Sequence, residues 1–138
     1  MVEPFREKGV EVCLRLCVVC RPTREEALAA AHALLPDEEI GKQERGILSR
    51  GDSQTYKHAL DTADKVGWMS RSLWAGLVPY YGSSAITLIG SPEELAEAFL
   101  EYKRIGVTQF IIAGWPKLDE MVRFGRDVLP LVRSAEGV

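Results

Sequence analysis

From Val10 to Val19 the chain reads Val-Glu-Val-Cys-Leu-Arg-Leu-Cys-Val-Val, an alternation of period two rich in β-branched residues, which predicts a strand. Its even positions, Val10, Val12, Leu14, Leu16 and Val18, make one wholly apolar face. Its odd positions, Glu11, Cys13, Arg15 and Cys17, make a second face whose polar groups do not suit a closed apolar core. Such a strand fits either an antiparallel sheet open to water or the inner wall of a barrel whose mouth holds a ligand. The helical content elsewhere decides between them.

After this strand the period changes. Thr23 and Glu26 form a capping box that opens an alanine-rich helix stopped by Pro36, and Asp37 stands where a second short helix would be capped. From Ile40 to Met69 the pattern is polar and broken by glycines, but Tyr56, Leu60 and Ala63 keep helical spacing, so residues 40–70 are expected to form a helical insertion. Leu73 to Ser84 keeps no period and carries Trp74, Gly76, Pro79, Tyr80, Tyr81 and Gly82, which predicts a loop with exposed aromatics, mobile over 77–84. Ala85–Ile89 is a short apolar strand. Ser91, Pro92 and Glu94 then supply an N-cap, a first-turn proline and a capping-box acid for a helix that ends on Lys103, Arg104 and Gly106. Val107–Ala113 predicts the next strand, Gly114-Trp115-Pro116 a turn, and Leu118, Met121, Val122, Gly125, Leu129 and Val132 a last helix.

Strands alternating with helices through right-handed crossovers predict an α/β fold, with three parallel strands in chain order and helices on one side. A run of that kind is part of a (β/α)8 barrel, but a whole barrel takes about 250 residues. The 138 residues are therefore expected to form one domain, the last three strand–helix units of a partial barrel plus the helical insertion.

Composition narrows the class further. With 46% hydrophobic and 27% charged residues the chain is an ordinary globular one. Seventeen Lys and Arg against twenty Asp and Glu leave a charge of -3 without a basic run, so nucleic acid is not an expected partner. No apolar stretch reaches the roughly 20 residues of a membrane span, and the opening residues do not resemble a signal peptide, so a cytoplasmic location is expected. All three cysteines fall between Cys13 and Cys20, which speaks for reduced thiols. Their Cys-x3-Cys-x2-Cys spacing is that of radical iron–sulfur ligands, but on a strand Cys13 and Cys17 lie roughly 13 Å apart and Cys20 faces the other way, so no metal site is expected. His32 and His58 have no partner at metal spacing and are expected to face solvent.

Several segments carry a family resemblance: residues 15–27 (Arg-Leu-Cys-Val-Val-Cys-Arg-Pro-Thr-Arg-Glu-Glu-Ala), 73–76 (Leu-Trp-Ala-Gly), 87–96 (Thr-Leu-Ile-Gly-Ser-Pro-Glu-Glu-Leu-Ala), 101–107 (Glu-Tyr-Lys-Arg-Ile-Gly-Val) and 110–120 (Phe-Ile-Ile-Ala-Gly-Trp-Pro-Lys-Leu-Asp-Glu). In order and spacing they resemble the C-terminal part of the bacterial-luciferase-like flavin monooxygenases, most of all the alkanesulfonate monooxygenases. The resemblance implies reduced FMN, delivered by a separate flavin reductase, which reacts with oxygen to give a flavin peroxide; the alkanesulfonate enzymes then release sulfite and an aldehyde. It also implies four site residues. Arg15 matches an arginine on a barrel strand, Cys17 stands where those enzymes have a histidine, Tyr81 where they have an arginine on a mobile loop, and Trp115 where they have a tyrosine before the last helix. Exchanging an arginine and a histidine for tyrosine and cysteine removes much of the cationic complement that a sulfonate needs.

The same resemblance implies five further strand–helix units outside this chain, units that supply much of the flavin and phosphate site. The chain alone is then expected to bind FMN weakly or not at all and to lack turnover. Its expected partner is a second copy or a chain carrying the remaining strands, because a barrel segment leaves open edges and an uncovered apolar face. The alternative is a non-catalytic oligomerising or interaction subunit derived from the family.

Overall fold

In the computed structural model, which describes residues 3–137, a short helix, α1 (Glu3–Glu7), precedes the first strand, β1 (Cys13–Cys20), which runs through the middle of the sheet. On one side it pairs in parallel with β3 (Thr87–Gly90), with Cys17 opposite Thr87. On the other it pairs in parallel with β4 (Gln109–Ala113), with Arg15 opposite Ile111. A two-residue strand, β2 (Leu73–Trp74), lies antiparallel to β3 and completes the order β2-β3-β1-β4.

The three strands read from the sequence are present and parallel, but they do not follow chain order, because β1 lies between the two later ones. A right-handed crossover places its helix on one face when the chain moves one way along the sheet and on the opposite face when it moves back. This chain goes from β1 to β3 and then returns past β1 to β4, and its helices divide accordingly. Ala27 and Ala31 of α2 (Arg24–His32), Tyr56 and Ala59 of α4 (Gln54–Lys65) and Val78 of α5 (Val78–Tyr81) pack with Val19 and Ile89 on the odd face. Leu95 and Phe99 of α6 (Pro92–Arg104) and Val132 of α8 (Leu129–Ala135) pack with Leu16, Val18 and Leu88 on the even face. The single helical layer expected from the sequence is thus replaced by one on each face. Leu14 and Leu16 do meet the last helices, as their alternation predicts, but α2 lies on the other side.

Local signals hold closely. Both capping boxes form, Thr23 with Glu26 and Ser91 with Glu94, and Gly106 ends the α6 segment at φ 108°, a conformation open to glycine. The 40–70 segment contains all but the first two residues of α3 (Glu38–Ser49) and all of α4, whose N-cap is Ser53. The last helix is interrupted: after α7 (Lys117–Arg123) comes a π-helical turn, Phe124–Val128, before α8. That extra residue shifts the helical phase, and Leu118 and Val122 stay exposed while Val128 and Val132 are buried.

Two expectations about aromatic and loop residues change. Over 77–84 the chain forms α5 and then a 3-10 turn, Ser83–Ala85, with Leu77, Val78 and Pro79 buried, because Tyr56 donates its hydroxyl to the Pro79 carbonyl at 3.1 Å and ties the segment to α4. Trp74 is part of the core, stacked on Trp68 at 5.9 Å between ring centres. Its indole lies over Gly76, where an added Cβ would fall 2.0 Å from the ring. Gly76→Ala is therefore expected to displace the indole and to cost about 1–3 kcal/mol, read as a lower urea midpoint with unchanged slope.

Candidate functional site

Arg15 and Cys17 share the odd face of β1, as the alternation predicts, yet their surroundings differ. The 3-10 turn at Ser83–Ala85 covers this face from Cys17 onward, and the first half of the strand is uncovered. Cys17 is 3% exposed and donates its thiol to the Ser84 carbonyl at 3.2 Å. Burial pushes this thiol up to about 11, and the pull of the Arg15 guanidinium in the other direction is smaller. Cys17 is thus a neutral, enclosed group at physiological pH and not a nucleophile. Arg15 stands exposed beside Ile111 and makes no ion pair among the described residues. The same-face carboxylate of Glu11 is taken by the side-chain amide of Gln109.

The other two predicted residues meet each other. Ala113 is level with Cys17, so Trp115 lies further along the same face. The Tyr81 ring packs on Trp115 at 4.7 Å and 43°, and the Tyr81 hydroxyl donates to the Leu34 carbonyl at 2.8 Å. The four residues therefore run along one sheet face, from Arg15 in the open, through enclosed Cys17, to an aromatic pair at the C-terminal end of the strands.

At that end lies a cluster that the sequence reading passes over. Glu120 is fully buried; it accepts the Cys20 backbone N–H at 3.3 Å and the Arg123 guanidinium at 3.1 Å, and it is ion-paired with Arg21. In the sequence Glu120 reads as an ordinary first-turn acid of α7. The available signal is Gly114, whose missing side chain admits the Glu120 methylenes: a Cβ there would sit 2.7 Å from Glu120 Cβ and 2.9 Å from the Val18 carbonyl.

A flavin needs a slot for a planar ring and donors for a phosphate. In this chain the Tyr81 and Trp115 rings face each other, Cys17 is closed in, and Arg15 lies at the open end of the strand face. Of the clefts elsewhere, two of about 270 and 260 Å³ are smaller than the roughly 300 Å³ at which ligand sites begin, and two are larger. One of about 450 Å³ is lined by Glu93, Glu94, Glu97 and Glu101, which repel a phosphate. In the other, of about 610 Å³, Arg126 is already bonded to Asp127 at 2.7 Å. The residues of this chain by themselves do not fit a whole flavin. Among the described residues no group of three or more His, Cys, Asp or Glu could hold a metal, and no helix is long and apolar enough to cross a membrane.

Two sets of outcomes test this arrangement, the first on the thiols. A thiol reagent at pH 8 should modify exposed Cys13 and spare buried Cys17 and Cys20 until the chain unfolds. The folded state raises both buried thiols from 9.0 to about 11, so it holds protons that the unfolded chain has lost. Stability should accordingly be full below pH 9 and fall as pH rises through 11, by about 1.4 kcal/mol per pH unit for each thiol in that window. Second, Glu120→Ala should cost about 3–5 kcal/mol in urea denaturation because it leaves guanidinium groups and a buried N–H unpaired, whereas Arg123→Ala, at a partly exposed position, should cost less.

Comparison with known proteins adds the following. Residues 3–109 match the family model described as luciferase-like monooxygenase. A sulfoquinovose monooxygenase of Agrobacterium fabrum (strain C58) is 33% identical over 126 residues, covering 88% of this chain and 33% of that protein. A riboflavin lyase, solved with modified FMN and its substrate riboflavin, superposes with a TM-score of 0.64 at 18% identity, over 98% of this chain and 35% of that one, a likeness of fold. The chain spans about a third of the length of either protein.

Proposed function

The chain belongs to the luciferase-like monooxygenase family, and from that premise we propose that it is the C-terminal portion of a flavin-dependent monooxygenase, forming one wall of a site that polypeptide outside this chain completes. The observation that carries this reading is the exposed guanidinium of Arg15 on an uncovered strand face, in line with the Tyr81–Trp115 pair at the other end. Arg15 anchors an anion, a sulfonate of the substrate or the phosphate of reduced FMN, by the two-pronged geometry that guanidinium offers. Tyr81 and Trp115 exclude water from one end, and Cys17 fills the space between without charge. The name of the relative from Agrobacterium fabrum favours a sulfonated substrate. A separate flavin reductase supplies the reduced cofactor.

In the complete assembly this segment takes its place in a (β/α)8 barrel, where consecutive strands are neighbours. β4 then leaves β1 for the far side of β3, the edge that β2 now covers. A second reading, a non-catalytic interaction subunit, is favoured by the helices on both faces, which give this sheet two covered cores without further strands.

The test is titration of the chain with FMN, oxidised and reduced, followed by flavin fluorescence or absorbance. No saturation in the micromolar range is expected, nor any turnover with a reductase present. Saturable micromolar binding that Arg15→Ala weakens would mean that the chain, alone or self-associated, holds a complete cofactor site, and the incomplete-wall reading would fail.

A further inference from the structure

Arg15 is not the only unused polar group beside the open half of the odd face. β1 and β3 run parallel with Cys17 level with Thr87, so the chain just before β3, the 3-10 turn Ser83–Ala85, lies on the Arg15 side of that level and rises over the face. Its contacts with β1 are fixed: the Ile86 carbonyl accepts the Cys17 N–H at 2.9 Å, and the Ser84 carbonyl accepts the Cys17 thiol at 3.2 Å. Those bonds use main-chain oxygens only. Thr87, the next hydroxyl along the chain, is buried and donates to the Ala85 carbonyl at 2.8 Å. The Ser83 and Ser84 hydroxyls, on half-buried residues, have no partner among the described residues. Since no enclosed side-chain oxygen or nitrogen of the described residues lacks a partner, both of these hydroxyls reach solvent.

We infer that Ser83 and Ser84 are the neutral donors that complete, with Arg15, a site for a singly charged oxyanion, the sulfonate of a substrate rather than the phosphate of a flavin. Reach, charge and shape agree. Cys17, on which Ser84 rests, is one same-face step from Arg15, about 6.8 Å along the strand. A tetrahedral anion closes such a gap, with guanidinium bonds of about 2.8 Å on one side and a hydroxyl bond of about 2.7 Å on the other. β1, the turn, β3 and β4 carry one cation among them, Arg15. A sulfonate has a single charge and no proton, so one guanidinium neutralises it and hydroxyls, which add no charge, bond what is left. A phosphate monoester carries about −1.5 to −2 at pH 7 and would keep a large part of that charge uncompensated. A carboxylate is set apart by its shape, because a two-pronged guanidinium engages both of its oxygens, while a sulfonate offers a third to the serines.

Arg15 as the anion anchor of the proposed site is the premise here. The place of β4 is not, because β1 and β3 are neighbours in the order described and in a barrel alike.

An NMR titration of the whole chain at neutral pH with methanesulfonate, methyl phosphate and acetate, without flavin, tests this at the Arg15 side chain and the amides of residues 82–86. Methanesulfonate should give saturable shifts in the millimolar range, and Arg15→Ala should abolish them. Ser83→Ala and Ser84→Ala should each raise the dissociation constant roughly two- to tenfold, the worth of one hydrogen bond, with unchanged circular dichroism. Ser84→Thr, which keeps the hydroxyl, should stay near the unaltered chain, and acetate binding should ignore the serine changes. Absence of saturation by methanesulfonate overturns the site. An affinity that Arg15→Ala removes but both alanine variants leave unchanged overturns the role of the serines and leaves the Arg15 anchor standing, whereas binding that survives Arg15→Ala overturns both. Methyl phosphate held as tightly as methanesulfonate by the same three residues overturns the choice of sulfonate.

Discussion

Glu120 holds the C-terminal end of the sheet together. Its carboxylate is wholly enclosed and takes the Cys20 N–H together with Arg21 and Arg123, one guanidinium from the segment after β1 and one from α7 itself. A buried carboxylate without partners costs several kcal/mol, so α7 can dock only where both arginines reach it. Gly114 makes the approach possible, since any side chain there would meet Glu120 and the β1 backbone. In this way one charge ties α7 to the end of β1, close to the turn from which Trp115 meets Tyr81.

What could be read in the sequence was what depends on neighbours along the chain. Alternation around Arg15 gave the correct faces of β1, and the capping boxes at Thr23 and Ser91 marked two helix starts, because both signals come from residues within one turn or a few strand positions. Strand order was not legible in the same way. Whether the chain advances or doubles back after β3 depends on long-range contacts such as Glu120 with Arg21, and nothing in the local pattern of Lys-Leu-Asp-Glu distinguishes a buried acid from an exposed one. Trp74 is illegible for a related reason: a segment without period reads as surface, although Tyr56 and Gly76 give its aromatics a place in the core. The π-helical turn is hidden because the spacing of Leu118 and Val122 is regular and only the later residues reveal the shifted phase.

The candidate site was partly legible. The resemblance brought forward four residues, and two of them, Tyr81 and Trp115, do touch, while Arg15 and Cys17 share a face. What the sequence could not supply was the covering of that face. Because the 3-10 turn over β1 reaches only to Cys17, two residues on one strand face acquire opposite characters: a solvent-exposed cation and a neutral enclosed thiol. Chemistry that requires a charged or nucleophilic group can use the first and not the second.

The clamp also bears on the barrel reading. To stand next to β3 in chain order, β4 has to leave β1, and α7, which follows it directly, carries Glu120 away from Arg21 and the Cys20 N–H. The buried carboxylate must then find new donors or become exposed, and β2 must give up its place beside β3. β2 is a weak obstacle, with two residues in the ladder, whereas the carboxylate is a strong one. A barrel segment with its strands in chain order would therefore be a second discrete arrangement, distinct from the one described here. Adding the remaining strands shifts the chain from one to the other only if their contacts with β3 and β4 exceed the cost of releasing Glu120.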